Sequence, residues 1–164
     1  MLALVLVAGC AATDEPYIPS SPSTISETGT AIVPPGPANP EVFRAIETAE
    51  SAVGGEAVAF ETRIKAYTVT VIAAGELHEV TLVGSGMIVN TVRDVDDGIQ
   101  SFLESQVVTL ADAIDAAAVA RPGRVDSAAI ALEDSGPVYD VVIEVEGELV
   151  TLSIDAFTAE ILQR

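Results

Sequence analysis

Tryptophan is absent from this chain of 164 residues, and cysteine, histidine and lysine occur once each, as Cys10, His78 and Lys65. One cysteine cannot close an internal disulfide, so no disulfide framework holds the fold. One histidine without a second thiol is too little for a zinc centre. Aromatic residues make up only 4% of the chain although 49% of it is hydrophobic. The apolar content is therefore mostly Ala and Val, and any core is built from small side chains. Basic residues are scarce as well: 7 Lys and Arg stand against 25 Asp and Glu, a formal charge of −18. That balance excludes nucleic acid and anionic lipid head groups as partners, since both require a basic footprint. It favours solubility and fast encounter with cationic partners.

What is present begins with the position of Cys10. Residues 1–9, MLALVLVAG, form an apolar run well short of the roughly 20 residues that span a bilayer. Val7-Ala8-Gly9-Cys10 has the form of a bacterial lipobox: a branched apolar residue, two small ones and the thiol that accepts lipid. No Lys or Arg precedes the run, whereas an export signal carries a positive n-region; the true start is therefore expected upstream. Lipidation of Cys10 predicts a protein anchored on the outer side of the cytoplasmic membrane, as diacylation gives stable attachment. Ala11 is not the Asp that retains some lipoproteins at the inner membrane. Residues 11–38 are rich in Pro, Ser and Thr and cannot bury enough apolar area to offset their ordering entropy. They read as an extended tether.

Beyond the tether one pattern is used twice. Asn39-Pro40 reads as a helix N-cap with Pro at the first helical position, and Val42, Ile46, Ala49 and Val53 recur at helical spacing before Gly54-Gly55. Alternation through Val58, Phe60, Thr62 and Ile64, then Tyr67, Val69 and Val71, then Val80 and Leu82 predicts strands, with a turn at Gly75. In the second copy Thr109 and Asp112 fit a capping box, Leu110, Ile114 and Ala117 make the helix stripe, and Pro122-Gly123 end it. Alternation resumes at Ala128, Ile130 and Leu132, at Tyr139, Val141, Ile143 and Val145, and after Gly147 at Val150, Leu152 and Ile154.

Tyr67 matches Tyr139, and Gly75-Glu76-Leu77 matches Gly147-Glu148-Leu149, at an offset of 72; Ala45-Ile46 matches Ala113-Ile114 at 68. The second copy is therefore expected to have a longer first hairpin. The fold class predicted is α+β: two repeats, residues 39–90 and 107–164, each one helix packed on a three-stranded antiparallel β-meander. Residues 91–106 link them and have the spacing for a short helix through Val92, Val95, Ile99, Phe102 and Leu103. Each unit alone would bury only about 60% of its unfolded surface, so the copies are expected to pack on each other or on a partner.

The second copy resembles the PepSY domain family. The resemblance rests on the Ala113-Ile114 helix, the Gly123 break, the strand Tyr139-Asp140-Val141-Val142-Ile143 and the closing Ile154-Asp155-Ala156-Phe157-Thr158-Ala159-Glu160-Ile161. Ala159 stands where that family usually has Gly. The first copy keeps the helix and the Tyr67 strand but lacks the Asp-x-x-Thr element, having Leu82-Val83-Gly84-Ser85-Gly86 instead. The resemblance implies a non-enzymatic, extracytoplasmic protein-binding module, a helix laid on an antiparallel sheet, of a kind found in propeptides of thermolysin-like metallopeptidases. An exported peptidase, or another envelope protein, is then the implied partner, and regulation or inhibition of that peptidase the implied role.

The residues themselves assemble no catalytic, cofactor-binding or metal-binding set. A Ser-His-acid triad would have to use His78, which has no elbow-type Ser beside it and reads as an exposed hairpin residue. Asp94-Val95-Asp96-Asp97-Gly98 places Gly at loop position 5, where an EF-hand requires it at 6; an acid-rich helix start accounts for it. Tyr67 and Tyr139 read as sheet-packing residues with hydroxyls at the rim. Asp155 and Thr158 are the polar residues of the closing element. They fit either a partner-contacting loop or an Asx-type turn, in which the Asp side chain accepts from backbone N–H groups. Two further readings compete with peptidase regulation: an envelope structural lipoprotein without such a target, and a cation- or ligand-binding module using the acidic surface.

Overall fold

Helix α1 (Pro40–Val53) starts where Pro fixes the first helical φ, and ends at Gly54, whose φ of 77° lets its N–H reach Glu50 O at 2.7 Å. The computed structural model of this chain describes residues 39–95, 97–105 and 107–162. Four small or branched side chains of α1, Val42, Ala45, Ile46 and Ala49, are buried on one stripe. Asn39 occupies the N-cap position, but its side chain makes no cap hydrogen bond. Its amide is turned across the molecule instead: Nδ2 donates to Gly123 O (3.2 Å) and Oδ1 accepts from Val125 N (3.2 Å). The reason is burial. Asn39 is 3% exposed, and a buried amide has to satisfy donor and acceptor alike. Helix α2 spans Asp97–Leu103. Helix α3 (Leu110–Ala120) carries the expected capping box, with Asp112 N donating to Thr109 Oγ1 (3.1 Å) and Thr109 N donating to Asp112 Oδ2 (3.1 Å).

The strands are β1 (Glu56–Arg63), β2 (Ala66–Ala73), β3 (Glu76–Val83), β4 (Gly86–Asp94), β5 (Arg124–Glu133), β6 (Gly136–Val145), β7 (Glu148–Asp155) and β8 (Ile161–Leu162). All belong to one antiparallel sheet in the order β4-β3-β2-β1-β5-β6-β7-β8. Two meanders thus meet at their first strands, where Ala59, Phe60 and Glu61 pair with Ala129, Ala128 and Ser127. The expected α+β class holds, but each meander has four strands rather than three, and neither forms a sheet of its own. β4 pairs with β3 from Gly86 to Asp94, so strand structure runs into residues 91–94. β8 adds two residues beside β7.

Two features recur in both meanders. A register shift interrupts β1 between Ala57 and Ala59 and β5 between Val125 and Ser127, at the same offset of 68 in sequence. Each meander is entered through a glycine pressed on the neighbouring strand. A Cβ on Gly55 would lie 2.1 Å from Ile72 O, and one on Gly123 would lie 2.6 Å from both Glu144 O and Ile143 Cγ2. β5 and β6 have 10 residues each where β1 and β2 have 8. Those four extra residues account for the change of offset from 68 to 72.

One face of the sheet carries the core. Phe60, Val69, Val71, Val80, Ala128, Val141, Ile143, Tyr139 and Ile154 form a single buried cluster with the stripes of α1 and α3 and with Phe102 of α2. As the composition requires, Val and Ala fill most of it, while Phe60 and Tyr139 are its largest fully buried side chains. The other face is polar and small: Ala59, Thr68, Thr70, Ser127 and Ala129 border a shallow trough of about 300 Å³.

Candidate functional site

β7 delivers Asp155 into a closing loop whose backbone is held from within. Asp155 Oδ1 accepts from Phe157 N (2.9 Å) and Thr158 N (2.8 Å), while Ala159 N returns to Asp155 O (3.0 Å). Thr158 Oγ1 accepts from Glu160 N (3.3 Å), and Asp155 N donates to Glu160 O (2.8 Å). The Asx-type turn is therefore present. The Phe157 and Thr158 N–H groups hold the Asp155 carboxyl below the usual carboxylate range, because they bond its charged form. Ala159 adopts φ 59°, the left-handed conformation in which Gly is less strained. Ala156 is fully buried and its N–H reaches Pro137 O at 3.2 Å.

Asp155 and Thr158 thus spend side-chain oxygens on the loop itself. The residue this arrangement presents outward is Phe157, 44% exposed, its ring edge-on to Phe102 of α2 at 5.7 Å and 76°. Sequence reasoning passed over Phe157. The available signal was an aromatic side chain in a turn of a chain that has only four Phe.

The other sequence candidates are dispersed. His78 lies inside β3, not at a hairpin tip; its Nδ1 is 3.1 Å from Thr91 Oγ1 and its Nε2 is 3.9 Å from Glu76 Oε2. Lys65 sits in the β1–β2 turn with φ 61°. Of the acidic run, Asp94 ends β4 and Asp97 opens α2, and Val95 N is bonded to Gly75 O (3.1 Å). Tyr67 stacks on Phe60 at 5.8 Å. Tyr139 departs from expectation: its hydroxyl is buried, not at the rim, and donates to Val108 O (3.2 Å). Burial, with Glu56 and Asp112 nearby, pushes that hydroxyl far above its ordinary pKa. Cys10 lies outside the described residues.

Two grooves border the helices. One, about 720 Å³, is lined by Glu50, Glu56, Gln100 and Glu104 between α1, α2 and the β2–β3 turn. There burial, and then the charge of Glu50, raises the Glu56 carboxyl. Among the described residues, however, no group of three His, Cys, Asp or Glu is placed to hold a metal ion. The second groove, about 490 Å³, runs between α1 and the β3–β4 turn past Arg44, Tyr67, Leu82 and Met87. Among the described residues no helix is long and apolar enough to cross a membrane.

A family model described as "Peptidase propeptide and YPEB domain", PepSY, matches residues 107–164. This is the segment whose helix, Tyr139 strand and closing loop carry the resemblance seen in the sequence. No curated protein matches the chain. Among solved structures, a proposed lipoprotein from Clostridium difficile 630 is similar at 13% identity with a TM-score of 0.45, over 74% of this chain and 89% of its own.

Proposed function

We propose, starting from residues 107–164 as the PepSY domain they match, that this protein is a non-enzymatic binding module that regulates an exported peptidase. The observation that carries the reading is the closing loop of that domain: a backbone cross-tied by Asp155 and Thr158, with Phe157 left exposed. An exposed aromatic on a pre-organised loop loses little conformational freedom on binding, and aromatic anchors dominate protein interfaces. Lipid on Cys10 would hold the module on the outer side of the cytoplasmic membrane, with residues 11–38 as the tether. The lipobox-like Val7-Ala8-Gly9-Cys10 supports that placement.

Residues 39–90 are in this reading a degenerate first copy of the same unit. Matching register shifts, matching entry glycines and the four-residue difference between the hairpins support it. Its partner-contacting loop has been replaced: where the second copy turns at Asp155, the first makes the short Gly84-Ser85 turn into a full strand, β4. Peptidase contact is therefore assigned to the second copy.

The test is a titration of the chain from residue 11 onward against exported peptidases of its host, a thermolysin-like metallopeptidase among them. Saturable inhibition at micromolar concentration or below supports regulation. Absence of inhibition across the set rejects it in favour of an envelope protein with another target. Anchoring is tested separately, by incorporation of labelled palmitate into the wild type and its loss in Cys10→Ser.

A further inference from the structure

The two edges of the sheet are built differently. β8 is two residues long, whereas β4 runs for nine, from Gly86 to Asp94. Long exposed edges are ordinarily guarded by charge, Pro or a covering element, because their free N–H and C=O groups recruit further strands. Among the described residues, no such guard stands along Gly86–Thr91; the charged residues of β4, Arg93 and Asp94, come only at its far end. In a chain of formal charge −18, residues 80–92 contain no ionisable side chain at all. Val83, Met87, Ile88 and Val89 at this edge are 49%, 47%, 57% and 43% exposed.

We infer that β4 is a self-association edge, on which β4 of a second copy pairs antiparallel about a two-fold axis through Val89. The register follows from the hairpin. Val83 and Gly86 close a two-residue turn, and such a closing pair exchanges both of its backbone hydrogen bonds. Along β4, Gly86, Ile88 and Asn90 therefore bond to β3, and Met87, Val89 and Thr91 point their N–H and C=O groups to the open edge. Only registers that bring these outward residues opposite one another can form a ladder. With Val89 facing Val89 of the other copy, Met87 faces Thr91 in both directions, and about six backbone hydrogen bonds form.

Every side-chain pair in that window is uncharged. Val89 stands on Val80, and Met87 on Leu82, on the helix-bearing face. Pairing there would cover Met87 and Val89 and continue the apolar core across the axis. Ile88 lies on the other face and would meet Asn90. The choice of a second copy over a foreign strand rests on charge. Two chains of −18 repel each other over most of their surface, so they can approach only through a segment without carboxylates. Residues 80–92 are such a segment. A cationic partner, by contrast, would be drawn to the acidic remainder rather than to this edge.

The test is sedimentation equilibrium of the full chain with Cys10→Ser, as wild type and as Val89→Lys. Val89 is partly exposed and its N–H does not bond to β3, so the Lys variant retains the fold; an unchanged circular dichroism spectrum verifies this. The expected result is a reversible dimer in the wild type, strengthened by added salt as the like charges are screened. In Val89→Lys the association constant falls at least about tenfold, since two like charges then stand directly opposite each other. Ile161→Lys, on the β8 edge, leaves it unchanged. A wild type that stays monomeric at several hundred micromolar overturns the inference. So does a dimer insensitive to Val89→Lys, or one lost in Ile161→Lys. The outcome is independent of whether any peptidase is inhibited.

Discussion

Asn39 separates two accounts of the same residue. As a helix N-cap it would be replaceable by Asp with little loss, and Asn39→Ala would cost about 1 kcal/mol. In the structure its amide instead ties the start of α1 to the start of β5, donating to Gly123 O and accepting from Val125 N at 3.2 Å each. Truncation to Ala would leave a buried carbonyl and a buried N–H without these partners, at roughly 1 to 3 kcal/mol for each group. Partial rehydration at the edge of the bulge lowers that sum, so we expect a loss of about 2 to 4 kcal/mol. At roughly 3 to 5 °C per kcal/mol for a domain of this size, the melting temperature should fall by about 6 to 20 °C. Asn39→Asp is the discriminating variant. Its carboxylate still accepts from Val125 N–H but sets a second acceptor against Gly123 O, so it should lose at least about 1.5 kcal/mol. Urea unfolding followed by circular dichroism measures both variants. An Asp variant as stable as wild type, together with an Ala variant down by only about 1 kcal/mol, would refute the clasp and restore the cap.

Other consequences concern the closing loop. Ala159→Gly removes the roughly 1 to 2 kcal/mol strain of a side chain at φ 59°. The greater chain entropy of Gly offsets about 0.5 to 1 kcal/mol of this, so the fold should gain up to about 1 kcal/mol, visible as a higher melting temperature. The Asp155 carboxyl has a folded-state pKa below its unfolded value. Its contribution to stability is therefore present above the unfolded value, near pH 4, and is lost as pH falls through the lower folded value. Asp155→Asn should flatten that part of the stability profile below about pH 4, measured by urea unfolding at each pH.

Much of the architecture is legible in local pattern, because local physics sets it. The apolar stripes of α1 and α3, the Thr109 capping box and the turns at Gly75 and Gly147 follow from helical period, side-chain capping and left-handed backbone, each readable within a few residues. β4 is harder to read: Met87, Ile88 and Val89 are consecutive apolar residues with no alternation, and an edge strand lacks the second neighbour that would impose one. The β1–β5 junction leaves almost no local trace. It is made by Ala59, Phe60 and Glu61 against Ala129, Ala128 and Ser127, and the small side chains on the β5 side fit many registers.

The candidate site divides along the same line. The Asx-turn chemistry of Asp155 and Thr158 is local and could be read directly. Phe157 gains its place only from Phe102, 55 residues earlier in the chain, and from the Asp155 turn that points it outward. Likewise the long-range bonds of Asn39, and that of the Tyr139 hydroxyl to Val108 O, exist only once distant segments meet.

The most direct test of the central claim is the inhibition constant of Phe157→Ala relative to wild type, measured against the exported peptidases of the host titrated as proposed above. Phe157 is a partly exposed loop side chain, so the variant should remain folded. If the closing loop is the contact surface, its inhibition constant rises at least about tenfold, as loss of an aromatic anchor of about 1.4 kcal/mol or more requires. An unchanged constant, or no inhibition by the wild type at all, would contradict the assignment of this loop as the surface that meets a peptidase.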